Sequence, residues 1–109
     1  MKWNELEYYD SQEYEAYAVV KDGPGTLFGV CGYNNRNSAQ FIQIHDASSL
    51  PDDGAVPKII FKVPAKSSFC YDFAKLGRYM TKGIVVCNSL TGPTKTLGDN
   101  DCWFNITYK

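Results

Sequence analysis

A chain of 109 residues that is 44% hydrophobic and 15% aromatic has the length of one domain and enough apolar side chain to bury a core. Charged residues make up 21% and the formal net charge is −1, which excludes a polyelectrolyte tail and gives no special pull toward nucleic acid. No apolar run approaches the roughly 20 residues that cross a bilayer, and the opening Met-Lys-Trp-Asn-Glu-Leu-Glu lacks the basic-then-apolar layout of a secretion signal. The expectation is a soluble, non-exported protein with neither a membrane nor a specific nucleic-acid partner.

The first sixteen residues hold five acids (Glu5, Glu7, Asp10, Glu13, Glu15) against Lys2, a net −4 that leaves +3 for the remainder. Trp3, Tyr8, Tyr9, Tyr14 and Tyr17 interleave with these acids, and aromatics are what a purely solvated acidic tail lacks. Residues 1–13 therefore read as an acidic aromatic arm, and residues 14–109 as a single β-domain. The arm either runs into the first strand or lies on a neighbouring subunit.

From Tyr14 the text is that of short strands cut by turns. Tyr14 to Lys21 is rich in Tyr and Val, Asp22-Gly23-Pro24-Gly25 is a strong break, and Thr26 to Tyr33 resumes the apolar pattern. After the polar turn Asn34 to Ser38, Ala39 to His45 places Ile42 and Ile44 on one face and Gln43 and His45 on a face expected to be wet. The stretch Ala47 to Val56, built around Pro51 and Gly54, is long enough to cross between sheets. Lys58 to Val63 alternates, with Ile59, Phe61 and Val63 opposite Lys58 and Lys62.

Pro64 to Ser67 makes a turn, and Phe69, Tyr71 and Phe73 form an aromatic ladder. Gly77 and Gly83 bracket Arg78 to Lys82, and Ile84 to Cys87 is an unbroken apolar run that reads as a central strand. Asn88 to Asn100 is a long loop, and in the closing strand Cys102, Phe104, Ile106 and Tyr108 share a face. The count is seven or eight strands, which predicts an all-β, antiparallel β-sandwich, jelly-roll or immunoglobulin-like, with an N-terminal arm.

The chemistry-bearing residues are few. Cys31, Cys70, Cys87 and Cys102 each sit in apolar or aromatic surroundings, where a free thiol behaves as a small hydrophobe, so four buried reduced thiols are expected. Their wide spacing and the single histidine exclude a C-x-x-C zinc site. His45 beside Asp46 is the one fragment of a general base, and no nucleophile can be placed next to it, so it reads as a strand-end histidine bonded to a turn. G-x-S-x-G, phosphate-loop and H-E-x-x-H signatures are absent, and no catalytic, cofactor or metal residue is assigned. Asp52, Asp53, Asp99 and Asp101 fall in two loops that lack an EF-hand pattern and read as solvated turn acids, and Asn105-Ile106-Thr107 is an accidental sequon inside a strand.

Two stretches carry a resemblance. Phe41 to Ala65 and Gly83 to Lys109 resemble small all-β virion structural proteins of tailed bacteriophages. In that pattern a strand ends in aspartate (Asp46), a Pro-x-x-Gly loop follows (Pro51, Gly54), and a glycine (Gly83) opens an apolar strand closed by a Ser-x-Thr turn (Ser89, Thr91). The resemblance implies a non-enzymatic protein made in the host bacterial cytoplasm and destined for the virion. Its implied role is that of a capsid decoration or cement protein, a homo-oligomer bound to the major capsid protein or other virion proteins. Trp3, Tyr8 and Tyr9 of the arm, with Tyr14 directly after it, are the candidate partner-binding residues. A neck or tail component is the alternative within that class. A carbohydrate-binding, receptor-binding sandwich is the alternative outside it, and it requires Trp3, Trp103 or several tyrosines to line one exposed platform.

Overall fold

Stretches rich in β-branched and aromatic residues, most of them ended by Gly, Pro, Asn or Asp, settle into nine strands in a computed structural model that describes residues 6–109. They are β1 (Glu7–Asp10), β2 (Tyr17–Asp22), β3 (Gly25–Asn34), β4 (Gln40–His45), β5 (Ile59–Val63), β6 (Ser67–Asp72), β7 (Arg78–Met80), β8 (Gly83–Ser89) and β9 (Cys102–Tyr108). All pairings are antiparallel, and the strands form two sheets. The first sheet runs β1-β9-β3-β6, with β7 continuing along the same edge of β3, and the second runs β2-β8-β4-β5. The protein is an all-β sandwich, as its alternating sequence predicts.

The ninth strand is β1, which lies inside the segment read as an arm. Glu7 to Asp10 pairs with Tyr108 to Asn105 and forms the edge of the first sheet. Four residues of Glu-Tyr-Tyr-Asp carry no apolar alternation, so nothing local marks them as strand.

Between the sheets lies one apolar cluster. Leu27, Val30, Phe104 and Ile106 from the first sheet meet Ile42, Ile44, Ile84 and Val86 from the second, with Phe61, Val63, Phe69 and Met80 closing its sides. The alternation read in the sequence for β5 and β9 places these residues inward as expected.

The face of β4 expected to be wet is dry. Gln43 and His45 are buried, as are Val85, Cys87 and Ser89, which project from the same outer side of β8. The cover is a roof made of the β4–β5 and β8–β9 loops. Gly54 N–H donates to the Lys95 carbonyl at 2.7 Å and Lys95 N–H to the Ala55 carbonyl at 2.8 Å, which ties the two loops together. Gln43 fastens the roof to the sheet, its Nε2 donating to the carbonyls of Gly92 (2.8 Å), Thr94 (3.0 Å) and Thr91 (3.1 Å). Ser89 Oγ donates to Thr91 O at 2.7 Å and accepts from Thr96 N–H at 2.9 Å. The alternation rule failed at β4 because a distant loop supplied partners for its polar side chains, and a buried amide is cheap once it is hydrogen-bonded.

Every residue of β8 is consequently buried. Its outer side meets the roof and its inner side meets the core. Truncating Gln43 to Ala should cost about 2–4 kcal/mol, since it opens a void and leaves the Gly92 carbonyl without its donor. A lowered urea midpoint, together with faster thiol labelling of Cys87 beneath the roof, would be the readout.

Candidate binding surface

The outer face of the first sheet has no such roof. Strand alternation and register set Tyr8, Thr107 and Gly29 in one row across it, Asp10, Asn105, Cys31 and Cys70 in the next, and Trp103, Tyr33 and Ser68 in a third. Most of these side chains are exposed or half-exposed. Tyr8 is 61% exposed, and Tyr14, on the turn after β1, meets the Trp103 ring edge-on with centroids 5.6 Å apart. Asn105 of the sequon donates to Asp10 Oδ1 at 2.9 Å, so it faces outward on the same surface.

At one end this face carries a groove of about 540 Å³ lined by Leu6, Phe28, Asp72, Ala74 and Lys75. Its geometry follows from an interruption in the sheet edge. The β3–β6 ladder ends at Gly29 opposite Asp72 and resumes as β3–β7 with Leu27 opposite Arg78, so residues 73–77 bulge out between the two pairings. Ala74 (φ 62°) and Gly77 (φ 66°) take left-handed backbone in that bulge, and Asp72 Oδ1 accepts from Ala74 N–H at 2.8 Å to shape it. Leu76 at its tip is 92% exposed. A second depression of about 270 Å³ adjoins the groove, lined by Phe28, Gly29, Thr107 and the Cys31–Cys70 pair.

That pair is a disulfide. The expectation of four free thiols is therefore corrected: Cys87 and Cys102 are free and buried, whereas Cys31 and Cys70 are bonded. Directly opposed in the antiparallel register, they put their Cβ atoms on the same face at neighbouring positions. The pairing of β3 with β6, which brings together residues 39 apart, is not written in local sequence. The argument from reduced thiols now applies to Cys87 and Cys102 alone.

The sequence-designated anchors divide. Tyr8 and Tyr14 point to solvent on the open face, and Trp3 lies outside the described residues. Tyr9 turns inward against the core, and its phenol donates to Glu15 Oε1 at 2.5 Å, where Ser11 Oγ also donates at 2.8 Å. Burial, with the Glu15 hydrogen bond and charge, holds the Tyr9 phenol well above its ordinary pKa. Tyr9 thus fastens β1 to the domain. Tyr33 and Phe28 were missed, because one lies in a glycine-rich strand and the other at a bulge between Leu27 and Gly29 that breaks the alternation.

The His45–Asp46 fragment does not form a catalytic pair. His45 Nε2 bonds Gln43 Oε1 at 3.0 Å rather than a turn, beneath the roof. Asp46 instead accepts from Thr81 N–H and Oγ1–H (both 3.0 Å), Lys82 N–H (2.7 Å) and Gly83 N–H (3.3 Å), so it locks the β7–β8 turn. Burial raises its pKa and those four bonds outweigh the effect, holding it at about 2. Cys87 on β8 shares the outer face of the second sheet with this histidine, but burial pushes its thiol up to about 12 despite the nearby Lys95 charge. Such a thiol is inert as a nucleophile.

The turn acids are engaged as well. Asp53 pairs with the buried Lys95 at 2.5 Å and accepts from Leu97 N–H, and Arg36 reaches both Asp99 (3.1 Å) and Asp101 (3.5 Å). The Lys95 hydrogen bond, then that of Leu97, holds the Asp53 carboxyl below its ordinary pKa. Among the described residues, no group of three or more His, Cys, Asp or Glu side chains is placed to hold a metal ion.

Comparison with known proteins identifies no relative: no family model matches the chain, and neither a curated protein nor a solved structure is significantly similar to it.

The disulfide has a direct chemical check. In denaturant two thiols should titrate before reduction and four after, and opening the 39-residue link should lower stability by about 2–4 kcal/mol.

Proposed function

We propose that the protein is a non-enzymatic virion structural protein of a tailed bacteriophage, a decoration or cement protein that binds a capsid shell through the outer face of its first sheet. The observation that carries the binding face is the contrast between the two outer surfaces. One is roofed by loops over its central strands β4 and β8, with Tyr17, Val19 and Ile60 exposed beside the roof, and the other is unroofed from end to end, with exposed aromatics, a groove and a fixed sheet edge. The virion role rests on the resemblance in Phe41 to Ala65 and Gly83 to Lys109. Three residues of that pattern hold loops in place: Asp46 holds the β7–β8 turn, and Ser89 and Thr91 pin the roof loop.

Aromatic anchors on a rigid sheet suit such a role, since they bury large area at low entropic cost. Many copies bound at once gain avidity against the outward pressure on a shell, so each interface need only be modest. The edge of β1, which pairs with no other strand among the described residues, adds backbone groups for strand addition by a neighbouring subunit or a second copy.

One observation favours a second reading. Trp103, Tyr33 and Tyr14 gather at one end of the open face, which is the arrangement a carbohydrate-binding sandwich needs.

Light scattering after size exclusion, on the protein alone and mixed with capsid shells that lack it, tests the proposal. A small oligomer that joins the shells is expected, with Tyr8→Ala combined with Phe28→Ser weakening shell binding at least tenfold while circular dichroism stays unchanged. A protein that ignores the shells and is retained on a glycan array through Trp103 would replace the virion reading with the carbohydrate one.

A further inference from the structure

We propose that the roof over the second sheet is an acid-opened latch, in which protonation of His45 releases the β8–β9 loop and uncovers the outer face of β8. His45 is the chain's only histidine, and the Gln43 amide lies between it and the roof. The three carbonyls that Gln43 Nε2 serves fix the orientation of that amide, leaving Oε1 to accept from His45. His45 must then carry its proton on Nε2, and the neutral ring has Nδ1 bare.

A second proton on this ring would place a cation under the roof. Lys95, 3% exposed, faces it from the β8–β9 loop, and Asp53 of the β4–β5 loop already neutralises Lys95 at 2.5 Å. Opposite His45 on β8 stands Val85, with the neutral Cys87 thiol next on that face. The exposed Lys58 stands at the entry to β5, its N–H bonded to Ile44 O at 2.9 Å. Neighbouring Asp46 is committed to the β7–β8 turn. Among the described residues no uncommitted carboxylate is placed to receive an imidazolium, and the charge that acts on the ring is that of Lys95.

Burial first, and the Lys95 charge second, hold the His45 pKa below its ordinary value of 6.5. The sign follows: the neutral ring's contribution is complete above about pH 6.5 and is lost as pH falls from there toward the lowered value. Lifting the roof returns the ring to water and removes Lys95 from it, so local opening, and not only global unfolding, relieves the charge. Asp46 and Asp53 are both held below their ordinary range, so neither carboxylate accounts for a change that begins near the ordinary pKa of the imidazole.

The test uses the full chain with its disulfide intact and a maleimide as the probe. Labelling is read separately at Cys87 and Cys102 by mass spectrometry after digestion, each rate being divided by that of a free model thiol at the same pH. As pH falls from 7 to 5 the normalised Cys87 rate should rise, while that of Cys102 stays constant. His45→Gln should flatten the Cys87 response. Where that variant fails to fold, Lys95→Met serves instead, and its midpoint should move up toward pH 6.5. A wild-type Cys87 rate that does not change with pH, or one that rises in step with Cys102, overturns the latch.

Discussion

Three backbone carbonyls from one loop converge on the amide nitrogen of Gln43, and most of what distinguishes this sandwich follows from that arrangement. Bent over the sheet, the β8–β9 loop would otherwise bury carbonyls without donors, at a cost of about 1–3 kcal/mol each. A single side chain from β4 removes much of that cost and sets where the loop can lie. With the loop in place, Val85, Cys87, His45 and Lys95 leave solvent, and β8 becomes a strand buried on both sides. The β4–β5 loop then joins by pairing its backbone with Lys95 and its Asp53 carboxylate with the Lys95 ammonium.

The result is a sandwich with two unlike outer faces. The central strands β4 and β8 of one sheet are enclosed between core and roof, while the other sheet shows solvent its Tyr8, Trp103, Tyr33 and disulfide-linked centre. Tyr9, Ser11 and Glu15 hold the edge strand β1 in place, so Tyr8 is presented from a fixed position and not from a loose arm. Rigid presentation lowers the entropy lost on binding, which is why the proposed function is placed on this face.

What could be read from sequence was what local alternation controls. Ile59, Phe61 and Val63 point inward as their spacing says, Ile84 to Cys87 is an interior strand, and Cys102, Phe104 and Ile106 bury together. Long-range partners were not legible. Gln43 and His45 look like a wet face until a loop some 50 residues later is found on top of them. Cys31 and Cys70 look like separate buried thiols until the register places them opposite each other. In the candidate site, Tyr8 and Tyr14 were marked by their unusual place among acids, whereas Tyr33 and Phe28 gain their significance only from cross-strand neighbours and a bulge.

The central claim is that partners meet the first sheet's open face and leave the roofed outer face of the second sheet untouched. Hydroxyl-radical footprinting of the protein, free and bound to capsid shells at neutral pH, tests it most directly. Protection on binding confined to Tyr8, Tyr14, Phe28 and Trp103, with Tyr17 and Ile60 of the second sheet labelled equally in both states, is the predicted result. Protection centred on Tyr17 and Ile60, with the first sheet unchanged, would contradict it.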